Sequence, residues 1–276
     1  MSPAARLAAR FERARAERRA AVIIYLTADD PDGPTSLRLM RAVADAGADI
    51  IEIGVPWSDP SADGKSIQAA MHRALGRGGG LRRSLALCGE LRAANPDVGL
   101  VLFGYANPIV VMGPEVFALK ARDAGADGVL CVDYPPDADR LLLNALAREG
   151  LDYVPLLAPT STEARVDAAL AAAGSFVYYV SMTGITGSAL PDLDGPRAHV
   201  AAIRARGQGR VPVAVGFGIR TPAAARAVAG FADAIVVGSA AVEIVERASA
   251  EGRDPVPEMS AFVRSLRDAV STPRAP

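Results

Sequence analysis

One carboxylate sits where an apolar run leaves no other polar residue. Ile51-Glu52-Ile53-Gly54-Val55 reads as a buried strand, and Glu52 stands between its isoleucines. A lone ionised carboxylate in such a place costs several kcal/mol unless it is paired or protonated. Glu52 is therefore either a structural hydrogen-bond acceptor or an acid/base group with a raised pKa, and its placement favours the second. The loop that follows, Pro56-Trp57-Ser58-Asp59-Pro60-Ser61-Ala62-Asp63-Gly64, adds Asp59 and Asp63. Either aspartate alone reads as a turn cap. A carboxylate on a rigid strand beside one on a loop, however, offers the donor and the acceptor that proton transfer needs.

Glycine makes the second constellation. Thr183-Gly184-Ile185-Thr186-Gly187-Ser188, Gly216-Phe217-Gly218-Ile219 and Gly238-Ser239-Ala240 each follow an apolar run directly. Backbone N–H groups in such loops, with a short helix N-terminus, hold a phosphate without any lysine. The scarce residues then narrow the chemistry. Lysine occurs only as Lys65, in the loop after Asp63, and Lys120, in a helical stretch, so a Schiff-base mechanism is poorly supplied. Histidine occurs only as His72 and His199, in helical or loop contexts, and several histidines are what a metal aldolase or hydrolase commonly uses. No metal and no cofactor is expected. What remains is carboxylate acid/base chemistry on a phosphorylated small molecule. Tyr25, Tyr105, Tyr178 and Phe217, each near a strand end, suggest that this molecule has a flat apolar part, core packing being the plain alternative for each.

The elements that must hold these residues alternate regularly. Eight apolar runs rich in β-branched residues read as strands: Ala21–Thr27, Asp49–Val55, Gly99–Phe103, Gly128–Val132, Tyr153–Leu157, Phe176–Val180, Val211–Val215 and Ala234–Val237. Helical spacing fills the stretches between, as at Pro34–Ala46, Leu81–Ala94, Pro114–Ala124, Ala138–Glu149, Thr162–Ala173, Pro196–Ala205 and Pro222–Ala229, with Ser2–Arg18 before the first strand and Pro257–Val270 at the end. Strand then helix, eight times over, predicts an α/β fold, a single (β/α)₈ TIM barrel with an extra N-terminal helix, in one domain over residues 1–276. An open doubly wound sheet is the alternative, but its first turn should carry GxGxxG, and Ala28-Asp29-Asp30-Pro31 stands there instead. Ala-Gly-Ala-Asp at Ala46–Asp49 and Ala124–Asp127, echoed at Gly230–Asp233, marks helix-to-strand joints, so Asp49, Asp127 and Asp233 read as structural.

Composition bounds the partners. In 276 residues, 50% hydrophobic and 22% charged with a net charge of −1, neither a disordered chain nor a strongly basic nucleic-acid binder is described. Cys88 and Cys131 match no zinc or CxxC spacing, no secretory signal core is evident, and the longest apolar runs are far shorter than a membrane span. A cytoplasmic protein with no membrane and no nucleic-acid partner is expected.

With Glu52, the Pro-Trp-Ser-Asp-Pro-Ser-Ala-Asp-Gly loop, Tyr105-Ala106-Asn107-Pro108, Thr-Gly-Ile-Thr-Gly, Gly-Phe-Gly-Ile and Gly-Ser-Ala in this order, the sequence resembles the tryptophan synthase alpha subunit family from about Ala21 to Glu246. The resemblance implies a (β/α)₈ barrel that cleaves indole-3-glycerol phosphate to indole and glyceraldehyde 3-phosphate. It implies Glu52 as the acid/base group, Asp63 as acceptor of the indole N–H, and Tyr178 beside the glycerol chain. Tyr25, Ile67, Tyr105 and Phe217 would surround the ring, Gly187, Gly218, Gly238 and Ser239 would hold the phosphate, and Thr186 would contact Asp63. It further implies an α₂β₂ complex whose beta subunit carries pyridoxal phosphate, with Pro56, Asp59 and Asn107 facing that partner. Three positions depart from the family pattern: Asp29 where glycine is common, Lys65 where proline often follows Asp-Gly, and Met182 where some members have arginine. Two other readings compete: a different phosphate-binding barrel enzyme, such as an isomerase or a prenyl or thiamine phosphate synthase, and a catalytically idle regulatory subunit. Within the resemblance itself, a stand-alone indole-3-glycerol phosphate lyase is the alternative to a subunit of the α₂β₂ complex.

Overall fold

The computed structural model describes residues 3–137, 139–180, 193–216 and 218–271. Their strands are β1 (Ala21–Thr27), β2 (Ile50–Gly54), β3 (Gly99–Gly104), β4 (Gly128–Cys131), β5 (Asp152–Tyr153), β6 (Leu156–Leu157), β7 (Val177–Val180), β8 (Val213–Gly216) and β9 (Ala234–Val237). Before and between them run α1 (Pro3–Ala16), α2 (Gly33–Asp45), α3 (Lys65–Leu75), α4 (Leu81–Ala94), α5 (Ala106–Met112), α6 (Pro114–Asp123), α7 (Leu141–Arg148), α8 (Glu163–Ala172), α9 (Asp194–Arg206) and α10 (Pro222–Ala229), followed by α11 (Ser239–Ala250) and α12 (Val256–Val270).

All strand pairings are parallel, in the order β5-β4-β3-β2-β1-β9-β8-β7-β6. The two end strands are halves of one, with only Val154 and Pro155 between them. The Val154 N–H donates to the Val129 carbonyl at 2.9 Å, and the Pro155 carbonyl accepts from the Tyr178 N–H at 3.0 Å. The segment therefore bonds to β4 on one side and β7 on the other, which closes the barrel. Pro155, having no N–H, interrupts the strand that the sequence pattern read as continuous.

Side chains alternate across this wall. On β1, Val22, Ile24 and Leu26 pack outward beneath the helices, while Ala21, Ile23 and Tyr25 pack inward. On β2, Ile51 and Ile53 face out and Ile50 faces in. The two-residue period thus turns Glu52 inward.

The N-terminal end of the barrel is sealed. Leu7, Phe11 and Ala14 of α1 join the interior cluster, Phe11 lying 5.2 Å from Phe176 between ring centroids. The three joint aspartates repeat one device around this end. Asp49 accepts the Val22 N–H at 2.8 Å and a pair of bonds from Arg19 at 2.6 and 2.7 Å. Asp127 accepts the Leu100 N–H at 2.8 Å and is paired with Arg92 and Arg6. Asp233 accepts the Val213 N–H and Arg204, both at 3.0 Å. Each ties the head of its strand to the strand before it, the structural role expected of it.

Three helices lie outside the helical stretches named from the sequence. Lys65 heads α3 and does not lie in a loop, α5 is only seven residues long, and α11 starts immediately after Gly238. Among the described residues no helix is long and apolar enough to cross a membrane.

Candidate active site

Glu52 projects into the barrel between Tyr25 and Val101, its partners in the parallel register. It is 1% exposed, and its Oε1 has no hydrogen-bond partner among the described residues. Burial alone pushes its pKa from 4.5 up to about 8. The side chain is therefore a neutral acid at neutral pH, able to give a proton and to take one back.

That shift has a stability consequence whose sign follows from proton linkage. Above pH 4.5 the unfolded chain releases the Glu52 proton while the folded chain retains it up to about pH 8, so stability falls as pH rises through this window. Glu52→Gln removes the effect. The variant is expected to be more stable than the parent at pH 8 by on the order of a few kcal/mol, with the gap narrowing toward pH 5. Urea denaturation at the two pH values measures it. A gap equal at both would show that Glu52 is not held neutral by its burial.

Asp63 approaches the same mouth from the loop after β2. Gln68, one turn into α3, donates its amide to the carbonyls of Asp63 at 2.8 Å and Pro60 at 3.3 Å, so the start of the helix holds the loop. The Tyr105 hydroxyl donates to Asp63 Oδ2 at 2.7 Å and accepts the Ala62 N–H at 3.1 Å. Burial raises the Asp63 pKa and the Tyr105 bond opposes the rise. Tyr105 is in turn pushed well up, first by burial and then by its bond to the carboxylate, so it stays a donor.

Tyr25 sets its ring edge-on to Phe103, 5.2 Å between centroids, and its hydroxyl meets Thr27 Oγ1 at 3.3 Å. A Cβ at Gly54 would overlap this hydroxyl, and one at Gly216 would overlap the hydroxyl of Tyr178. Two strand-end glycines thus make room for two inward phenols. Tyr178 is half-buried, and its pKa is raised by burial and by the facing carboxyls of Glu52 and Asp63. Ile67 packs against the interior cluster, and a Cβ at Gly238 would lie 3.5 Å from both Ile67 and Tyr25. Gly238 caps α11 and Ser239 begins it, leaving open N–H groups at the mouth. Gly218 has φ +53°, in the left-handed region that glycine tolerates.

The structure therefore gathers Glu52, Asp63, Tyr25, Ile67, Tyr105, Tyr178, Gly238 and Ser239 at one end of the barrel. Thr186, Gly187 and Phe217, with Met182, lie outside the described residues. Of the three residues expected to face a partner, Asp59 and Asn107 are exposed, whereas Pro56 is buried in the chain itself. Phe103, Thr27, Gly54, Gly216 and Gln68 were not among the expected site residues. Phe103 and Thr27 carried a signal, since both end strands already assigned.

The departure at position 29 also has its reason here. Asp29 has φ +62°, where aspartate is among the few side chains tolerated. Its buried carboxylate is clasped by Arg83 at 2.9 and 3.1 Å. A Cβ at Gly33 would stand 2.8 Å from the Arg83 guanidinium and 3.0 Å from the Asp29 carboxylate.

Residues 11–271 match the family model described as tryptophan synthase alpha chain. The tryptophan synthase alpha chain of Burkholderia thailandensis is 46% identical over 260 residues, covering 94% of each chain, and that of Dechloromonas aromatica is 46% identical over 246 residues, covering 89% of this chain and 91% of its own. Among solved structures, tryptophan synthase subunit alpha from Legionella pneumophila superposes with a TM-score of 0.90 at 33% identity over 98% of both chains. Tryptophan synthase from M. tuberculosis, in an open form, gives 0.86 at 34% over 96% of this chain and 98% of its own. By sequence along nearly its whole length and by fold, the chain belongs to the tryptophan synthase alpha chain family.

Proposed function

We propose that this chain cleaves indole-3-glycerol phosphate to indole and glyceraldehyde 3-phosphate. Membership of the family makes it an alpha subunit in tryptophan biosynthesis and a lyase; the reaction itself is our reading. The observation that carries it is the neutral Glu52 inside the barrel, its Oε1 without a hydrogen-bond partner among the described residues, with Asp63 on the loop above.

In this reading the glycerol phosphate is seated by N–H groups around Gly187, Gly218, Gly238 and Ser239, and the indole lies among Tyr25, Ile67, Tyr105 and Phe217. Glu52 gives its proton to the ring carbon that bears the side chain. The ring nitrogen then carries positive charge, and Asp63 accepts its N–H and stabilises it. The resulting Glu52 carboxylate takes the proton of the side-chain hydroxyl, the carbon–carbon bond breaks, and its electrons return to the ring. The protonated heterocycle is the electron sink, so no cofactor is assigned to this chain. Tyr178 stands beside the breaking bond as a hydrogen-bond donor. Release of indole from indole-3-glycerol phosphate by the purified chain tests the reading, and no release by the chain alone or with a partner ends it.

The partner in this reading is a beta subunit bearing pyridoxal phosphate, in an α₂β₂ complex. Supporting it, Val110 and Val111 are 60% and 81% exposed on the same short helix as Asn107. Beside them runs a groove of about 1110 Å³ lined by Leu81, Pro108, Met112, Val116 and Lys120 among others. Apolar surface of this kind marks a contact site. Docking at Asp59 and Asn107 favours the closed arrangement of the loops over the site, and moving such an equilibrium from about one-tenth to mostly closed takes about 1–3 kcal/mol of coupling. Indole release is expected to rise tenfold or more with a cognate beta subunit. A high rate alone, with no stimulation and no complex on a sizing column, would make the chain a stand-alone lyase.

A further inference from the structure

We propose that Asp133 is a positioning residue for Asp63, acting through Tyr105. Its bearing on catalysis rests on the reaction proposed above. The backbone of Tyr105 is held on both sides by two consecutive residues that continue β4. On one side the Val132 N–H donates to the Gly104 carbonyl at 2.9 Å. On the other, Asp133 Oδ1 accepts the Ala106 N–H at 2.7 Å. Ala106 begins α5, Tyr105 is its N-cap, and the Tyr105 side chain makes no capping bond, because its hydroxyl reaches across the mouth to Asp63 and Ala62. The first N–H of the helix is therefore capped from a different strand, which frees Tyr105 to serve the loop. A residue that points its side chain at a loop needs its backbone fixed from elsewhere, and Asp133 supplies half of that fixation. The same helix bears Asn107, Val110 and Val111 on its exposed side, so its start is the joint between the apolar surface and Asp63.

Asp133→Ala and Asp133→Asn separate this role from a general structural one. Asparagine keeps an oxygen for the Ala106 N–H, and alanine does not. In Asp133→Ala, kcat for indole release is expected to fall about three- to tenfold with KM within twofold, and Asp133→Asn to stay within twofold of the parent in both. The double variant with Tyr105→Phe should be no slower than Tyr105→Phe alone, because the two residues act in series. Amide hydrogen exchange gives a readout independent of turnover: Asp133→Ala should speed exchange at Ala106 and also at Ala62, whose N–H is held by the Tyr105 hydroxyl. Faster exchange at Ala106 with Ala62 unchanged would reduce Asp133 to a local cap and overturn the proposal, as would losses that add in the double variant. Should the parent release no indole at all, the proposed reaction fails, and the exchange at Ala62 still decides the link.

Discussion

Glu52→Gln is expected to lower indole release by about 10²–10⁴-fold, the range that a proton-transferring side chain contributes. The amide preserves the shape of the side chain and cannot give up a proton at the strength required. Because the parent Glu52 is neutral at neutral pH, the substitution changes little in the charge that the substrate meets on entry, and affinity for a substrate analogue should stay within a few-fold. The loss therefore falls on kcat. The same variant is expected to be the more stable protein at pH 8, so reduced activity cannot be ascribed to unfolding. Steady-state kinetics and analogue titration on one preparation make the comparison. Retention of more than about a tenth of the parent turnover would assign the proton transfer to another group.

Asp63→Asn is expected to lower turnover by about 10²–10³-fold through a different cause. Its oxygen can still receive the Tyr105 hydroxyl, so the loop keeps that bond; what disappears is the negative charge opposite the ring nitrogen. A fixed charge in a partly enclosed site acts most strongly on the species in which positive charge has formed, which is the protonated ring and not the resting substrate. Turnover unchanged in Asp63→Asn would remove the electrostatic role. A pH profile adds a check on the environment: Tyr105→Phe removes the bond that opposes the upward shift at Asp63, so the acidic limb of kcat/KM should move to higher pH.

The sequence made the barrel wall plain because buried parallel strands are written as nearly pure apolar runs. Ala21–Thr27 and Ala234–Val237 form over the expected residues, and Glu52 stood out because it interrupts such a run. What escaped notice depends on contacts between distant segments. Tyr105 and Asp63 are 42 residues apart, and their bond follows from where two loops end. The seven residues of α5, with Pro108 and the β-branched Ile109, Val110 and Val111, have poor helical propensity, and the helix exists because the barrel presents its ends to suitable partners. For α11 the Gly238-Ser239-Ala240 head read as a phosphate-binding loop, and for β5 and β6 a single proline divided what the apolar pattern joined. Pro56 was expected at the partner face from the resemblance alone, yet it is buried in the chain itself.

The Asp29–Arg83 clasp carries a consequence for how such a chain can change over generations. A Cβ at position 33 would stand 2.8 Å from the guanidinium and 3.0 Å from the carboxylate, so a larger residue there makes the end of the Arg83 side chain shift against Asp29. Two neighbouring positions and one some fifty residues on are thereby coupled: the value of an aspartate at 29 with an arginine at 83 depends on what stands at 33. Replacing Asp29 by glycine costs only the clasp, whereas enlarging Gly33 while Asp29 remains displaces the cation beside a buried carboxylate. The effect of one substitution here depends on which came first, and laboratory lineages that introduce them in opposite orders should diverge in which intermediates fold.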